Sequence, residues 1–182
     1  MKALLLSAGI GSRLKPLTLH QPKCLLPIYK KPILYYWLDL LEDEGVTDVL
    51  INMHHLSSQI EQAVSKRLNK INITLTYESE LLGSAGTIFA NKHFFDGEEN
   101  FLLLYSDNIT DVSLSSIINY HYTQKSIFTT YIYKTNNPKA KGIFEFDIKT
   151  GRVLSFEEKP QIPKTDYANA GIGVLNKRIF DY

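Results

Sequence analysis

Cysteine is nearly absent from this chain. Of 182 residues only Cys24 carries a thiol, which excludes an internal disulfide and fits a reducing, cytoplasmic compartment. Long apolar runs are missing as well. No stretch approaches the roughly 20 residues of a membrane-spanning helix, and the run Ala3-Leu4-Leu5-Leu6 is too short for the core of a signal peptide. There is no internal repeat, low-complexity tract or linker. An overall charge of one sign is also lacking, since 20 Lys+Arg stand against 19 Asp+Glu for a net charge of +1. That balance gives no general pull toward nucleic acid or an anionic membrane, so neither is an expected partner. Association into a homo-oligomer is left open.

One local absence says more. No acidic residue precedes Asp39, whereas Lys2, Arg13, Lys15, Lys23, Lys30 and Lys31 all fall in that segment. Transit peptides share such a bias, but Gly and Pro punctuate this segment throughout. The sharper reading is a polyanion site built early in the chain.

What is present is an ordinary globular composition, 44% apolar and 21% charged, over a length suited to a single domain, residues 1–182. Lys2 to Ser7 reads as a buried strand feeding a tight loop. Pro32 to Glu44 reads as a helix with Pro in its first turn, Gly45 at its end, and Ile33, Leu34, Trp37, Leu38 and Leu41 on one stripe. Asp48 to Asn52 is a strand. Ser58-Gln59-Ile60-Glu61 fits a capping box opening a helix that buries Ile60, Ala63, Val64 and Leu68. Ile73 to Tyr77 is a strand, Ser84 to Asn91 a helix, Phe101 to Tyr105 a strand covered on both faces, and Leu114 to Tyr122 a helix. Strands then dominate, over 127–133, 143–147, 153–157 and 170–175. The alternation predicts a mainly parallel, mixed sheet with helices on both faces. In such α/β folds, ligands sit beyond the carboxyl ends of the strands.

The informative residues follow strands. Ser7-Ala8-Gly9-Ile10-Gly11-Ser12-Arg13 has two glycines that let backbone N–H groups approach an anion, and an arginine whose planar fork can hold two phosphate oxygens. It is neither a dinucleotide fingerprint, because Leu14 takes the last glycine's place, nor a Walker loop; a plain glycine turn remains an alternative. Pro22 and Pro27 stiffen an extended segment that fixes Lys23 shortly after that loop. His54-His55 reads as a structural loop, and Cys24 as packing.

Leu6 to Thr18, then Pro22-Lys23-Cys24-Leu25-Leu26-Pro27-Ile28 and Lys31-Pro32-Ile33-Leu34, closely resemble the signature of the sugar-1-phosphate nucleotidyltransferases. The nearest members are the mannose- and heptose-1-phosphate guanylyltransferases. The resemblance implies a Rossmann-like three-layer sandwich and an enzyme of the 2.7.7 class that joins a nucleoside triphosphate, GTP by overall similarity, to a sugar 1-phosphate with release of pyrophosphate. It implies that Ala8, Gly9, Gly11, Ser12 and Arg13 hold the triphosphate and that Lys23 contacts phosphate near the reacting centre. Leu82-Gly83-Ser84-Ala85-Gly86-Thr87 resembles the loop that surrounds the base through its main chain, with Glu78 just before it standing either as a binding residue or as an exposed strand end. Asp107, after the Phe101–Tyr105 strand, is implied as the principal Mg2+ ligand. Gly142, Glu158, Lys159 and Asn169 match the sugar-phosphate contacts, with Lys159 on the phosphate and the polar pair on sugar hydroxyls.

Ser12 and Ser84 stand where threonine is commoner. Family members continue for some tens of residues past Asn-Ala-Gly and place a second metal-binding aspartate there. Only eleven residues follow Gly171, and Asp181 is not assigned to metal. The domain is therefore expected to be short at its C-terminal end, with activity weak or absent even where binding survives. Two other functions fit the same loops: a phosphocholine cytidylyltransferase-like enzyme, and a non-catalytic nucleotide-sugar-binding regulatory domain.

Overall fold

The computed structural model of the chain describes residues 1–68 and 70–182. In chain order its elements are β1 (Lys2–Leu6), a two-residue hairpin of β2 (Pro27–Ile28) and β3 (Lys31–Pro32), α1 (Ile33–Asp43), β4 (Asp48–Met53), α2 (Ser57–Lys66), β5 (Asn72–Tyr77), α3 (Gly83–Ala90), β6 (Asn100–Tyr105), α4 (Leu114–Gln124), β7 (Phe128–Lys134), β8 (Gly142–Phe146), β9 (Val153–Glu158) and β10 (Tyr167–Asn176).

The central sheet runs β5-β4-β1-β6-β10-β8-β9, and β7 pairs with β10. β5, β4, β1 and β6 are parallel neighbours. β10 then runs antiparallel to β6, β7 and β8, and β8 and β9 form an antiparallel hairpin. The sheet is therefore mixed with a parallel half, as the strand–helix alternation predicts.

The continuous apolar strands have a simple cause: both faces are covered. Ala3, Leu5, Val49, Ile51, Leu102 and Leu104 pack against Leu34, Trp37, Leu38, Leu41, Ile60, Leu114 and Ile117 of α1, α2 and α4. Leu4, Leu50, Phe101 and Leu103 project the other way, onto Ile88 of α3 and onto Phe95 and Phe180. This alternation along each strand makes a three-layer sandwich. The predicted stripe of α1 is its buried face, and Gly45, at φ +73, ends the helix with its N–H on the Glu42 carbonyl.

Three local expectations fail. The capping box at Ser58 does not form. The N-cap is Leu56, two residues before Ser58, in a left-handed conformation (φ 53) with no side-chain cap, and α2 begins at Ser57; the Gln59 N–H bonds the Leu56 carbonyl instead. Leu68 is not on the buried face. Arg67 turns extended after Lys66 and reaches back to Glu42 and Asp39 at 2.7 and 2.6 Å, which leaves Leu68 96% exposed. Pro32 stands at the N-cap of α1 rather than inside its first turn.

At the end of the sheet away from the loops sits a buried polar cluster. Asn100 Oδ1 accepts from Asn176 Nδ2 at 2.9 Å and from the His121 Nε2–H at 2.9 Å, so His121 Nδ1 is the atom that accepts from the Thr129 hydroxyl, at 2.8 Å. The neutral ring with its proton on Nε2 satisfies both nitrogens. Burial, with Arg178 adding to it, holds the imidazole below its ordinary pKa. A depressed histidine favours folding while both states are neutral and loses that contribution as the unfolded chain takes up protons, below about pH 6.5. Urea unfolding should therefore show stability falling between pH 7 and pH 5, and His121→Gln should flatten that slope.

Candidate active site

The four parallel strands end at one edge of the sheet, and their carboxyl ends open into a cleft of about 1290 Å³. β1 delivers Ser7 and the glycine loop, β4 delivers Asn52, β5 delivers Glu78, and β6 delivers Ser106 and Asp107. The opposite wall is antiparallel and carries Gly142, Glu158, Lys159 and Asn169 from β8, β9 and β10. Of the residues singled out in the sequence, Ala8, Gly9, Gly11, Ser12, Arg13, Lys23, Glu78, Gly83, Ser84, Asp107, Gly142, Glu158, Lys159 and Asn169 all line this cleft. Ala85 and Gly86 do not. They lie within α3, where Ala85 faces solvent and a Cβ on Gly86 would stand 2.9 Å from Leu82 Cβ. Gly86 serves close packing of its own turn.

The glycine loop is held from behind. Gly11 is at φ +68, and a Cβ there would lie 2.9 Å from Thr18 Cγ2, so only glycine fits. Thr18 is buried and its hydroxyl donates to the Gly11 carbonyl at 2.9 Å. Among the described residues no protein group accepts from the N–H groups of Gly9, Ile10, Gly11 and Ser12, and nothing crowds Gly9. Such a run of free donors suits a phosphate group. Arg13 sits in the 3₁₀ turn Ser12–Leu14, and among the described residues no carboxylate pairs with it. Lys23 begins a further 3₁₀ turn, Lys23–Leu25, and its ammonium donates to Asp107 Oδ2.

Glu78 is not an exposed strand end. It is 5% exposed, and its Oε1 accepts from Asn52 Nδ2 at 2.8 Å and from the Thr87 hydroxyl, while Oε2 accepts from the Leu82 N–H at 3.2 Å. Asn52 Oδ1 in turn accepts from the Ser7 N–H at 2.7 Å. The Ser7 hydroxyl donates to Ser106 Oγ at 2.8 Å, and Ser106 donates to the Leu6 carbonyl at 2.8 Å. Tyr105 meets Ser84 hydroxyl to hydroxyl at 3.0 Å. Sequence reasoning passed over Asn52, Thr87 and Tyr105. The available signal was a polar residue, Asn52, interrupting the otherwise apolar run Val49–Met53.

On the acceptor wall, Gly142 pairs with Glu158 across the β8–β9 hairpin. A Cβ on Gly142 would lie 2.7 Å from Glu158 Oε2 and 2.6 Å from Phe156 Cζ, so the missing side chain is the space those groups occupy. Lys159 has φ +51 and its N–H bonds the Lys141 carbonyl at 2.9 Å. This left-handed step breaks the strand's alternation, and the consecutive residues Glu158 and Lys159 both line the cleft. Asn169 Oδ1 accepts from the Gly171 N–H at 2.9 Å and from Thr130 Oγ1 at 3.2 Å. Its Nδ2 has no protein acceptor among the described residues.

Histidines 54 and 55 are structural, as expected: their ring N–H groups meet the carbonyls of Glu78 and Thr18, each at 2.8 Å. Cys24 borders the cleft yet is 1% exposed, and burial pushes its thiol up to about 12. Iodoacetamide at pH 8 should leave the native protein unmodified and label Cys24 only after unfolding, which mass spectrometry reads directly.

A parallel half-sheet whose loops carry free N–H groups and cations, facing an antiparallel wall with paired polar groups, defines an α/β domain whose cleft suits a polyanion and leaves room for a second ligand. A profile of the family described as nucleotidyl transferase matches residues 2–182, and the chain belongs to that family. It is 33% identical to the mannose-1-phosphate guanyltransferase beta-B of Xenopus laevis over 100% of this chain and 51% of that protein. It is 34% identical to the mannose-1-phosphate guanylyltransferase catalytic subunit beta of Danio rerio over 97% of this chain and 50% of that protein. The chain thus spans about half the length of the curated relatives it matches. Its fold is shared with HddC from Yersinia pseudotuberculosis, solved in complex with GMP-PN, at a TM-score of 0.80 and 23% identity, over 100% of this chain and 79% of that one. No helix among the described residues is long and apolar enough to cross a membrane.

Proposed function

We propose that this cleft binds a nucleoside triphosphate on the parallel side and a sugar 1-phosphate on the antiparallel side, and joins them with release of pyrophosphate. The observation that carries the reading is the meeting of Arg13, Lys23 and Asp107 in one cleft with Glu158, Lys159 and Asn169 on its facing wall. Family membership over residues 2–182 supports it. GTP is the proposed donor, because the relatives named above are guanyltransferases and a structural neighbour is a GMP-PN complex. The cytoplasm is the proposed compartment.

The chemistry is an in-line displacement. An oxygen of the sugar phosphate attacks the α-phosphorus, the bond between that phosphorus and the α,β-bridging oxygen breaks, and pyrophosphate leaves with the bond's electrons. No protein nucleophile is required. The free N–H groups of residues 9–12 and the Arg13 guanidinium hold the leaving phosphates. Lys23 moves its ammonium from Asp107 to phosphate oxygen as the nucleotide enters, and places positive charge where negative charge develops. Lys159 offsets repulsion between the two phosphorylated ligands, while Glu158 and the Asn169 amide N–H groups engage sugar hydroxyls.

The Asp107 site fits a magnesium ion that arrives with the nucleotide. Asp107 offers one partly exposed carboxylate, Asn108 Oδ1 beside it is buried without a hydrogen-bond donor, and no group of three or more His, Cys, Asp or Glu among the described residues could hold a metal alone. One carboxylate completed by substrate phosphates is the usual arrangement for this ion. When bound there, magnesium supplies neutralising charge on the phosphate oxygens.

A pyrophosphate-release screen of nucleoside triphosphates against sugar 1-phosphates, with and without magnesium, tests the reading. Turnover with GTP and a hexose or heptose 1-phosphate is expected. Nucleotide-sugar binding with no turnover across the whole panel would replace it with a non-catalytic binding domain. Asp107→Asn and Lys23→Met should each lower kcat by about 100-fold or more. Gly142→Ala should act differently: by displacing Glu158 it should raise KM for the sugar phosphate about tenfold and leave KM for the nucleotide unchanged.

A further inference from the structure

Asn52 stands at the carboxyl end of β4 among fully buried apolar neighbours, and is itself 3% exposed. Its amide is used from both ends. The oxygen accepts the Ser7 N–H, at the root of the glycine loop, and the nitrogen donates to Glu78, with Thr87 Oγ1 at 3.3 Å beside it. Glu78 then takes the Leu82 N–H and the Thr87 hydroxyl, which fix the entry into α3. Glu78 and Thr87 are 5% and 1% exposed, so these bonds act where water does not compete. One side-chain amide thereby joins the segment that offers N–H groups to phosphate and the segment proposed to surround the base.

We infer that Asn52 is a positioning residue that sets the spacing between the triphosphate grip and the base grip; the inference rests on the nucleotide-binding reading above. A nucleoside triphosphate is a tether of defined length. Its two ends reinforce each other only when the two sites are held at the matching separation. A ligand that reaches only one grip is indifferent to that separation. The amide is the group that can do this, because it accepts from a main-chain N–H and donates to a carboxylate at once. Aspartate can only accept, and leucine can do neither.

The test is a set of titrations followed by NMR, with GTP, inorganic tripolyphosphate and guanosine as separate ligands, on the wild type, Asn52→Leu and Asn52→Asp. Asn52→Leu should weaken GTP by about 10- to 100-fold and change tripolyphosphate and guanosine by less than about threefold. Equal losses for all three ligands, or none for GTP, would reduce Asn52 to a packing residue and overturn the inference. Asn52→Asp keeps the Ser7 bond and serves if the leucine variant does not fold. It sets a second carboxylate against Glu78, and such a pair holds a shared proton more tightly than either acid alone. Its GTP affinity relative to wild type should recover as pH falls from 8 to 6. His54, which bonds the Glu78 carbonyl, is common to both proteins and cancels in that ratio. A flat ratio counts against the inference. Wild-type protein that binds no nucleoside triphosphate would remove the nucleotide reading itself, whereas normal wild-type binding with unaltered variants removes only the role of Asn52.

Discussion

The cleft depends on how Ser7 is satisfied. Where β1 stops, its next N–H leaves the ladder in a buried position, and a buried amide without a partner is costly. Asn52 of the neighbouring strand accepts it, and the Ser7 hydroxyl goes the other way, to Ser106. Three loops that share no sequence proximity are tied at this one residue: the glycine loop, the Glu78–Thr87 segment reached through Asn52, and the Asp107 loop reached through Ser106. Trp37 of α1 adds a fourth tie, its Nε1–H donating to the Asn108 carbonyl at 2.9 Å. The mouth of the cleft is therefore braced by a polar network, with the apolar layers beneath supplying rigidity.

The two walls are built on different principles. The parallel wall presents main-chain N–H groups and cations at the ends of strands, which suits a polyanion. The antiparallel wall presents side chains from the faces of strands, and depends on a missing side chain at Gly142 and a left-handed step at Lys159 to bring Glu158 and Lys159 onto one surface. Ser84 of α3 and Tyr105 at the end of β6 meet hydroxyl to hydroxyl on the parallel side. The division matches the two ligands of the proposed reaction: a triphosphate needs dense positive character, and a sugar phosphate needs paired donors and acceptors with a single cation.

Most of the architecture was legible from hydrophobic pattern, because both faces of the sheet are covered and the strands had to be apolar throughout. The stripe on α1 and the continuous run of β6 are direct consequences. The failures were local and had tertiary causes. The box at Ser58 gave way to the chain's entry through a left-handed Leu56, which stands at the N-cap with no side-chain cap. Leu68 continued a helical period that Arg67 interrupted to pair with Glu42 and Asp39. At the site, the residues on loops were readable from their motifs, whereas Ala85 and Gly86 shared a motif with Gly83 and Ser84 but were turned away by the helix they belong to.

The sequence by itself determined the order of strands and helices, the covered parallel sheet and most of the segments that line the cleft, since periodicity and short motifs are properties of neighbouring residues. Only the tertiary structure decided that Glu78 is buried and shared among Asn52, Thr87 and Leu82, that Lys23 rests on Asp107, and that Asn52 belongs to the site at all. Apart from the Leu82 N–H, four positions from Glu78, those outcomes depend on contacts between residues 9 to 84 positions apart, and a hydrogen bond at that separation leaves no mark on the local pattern of either partner.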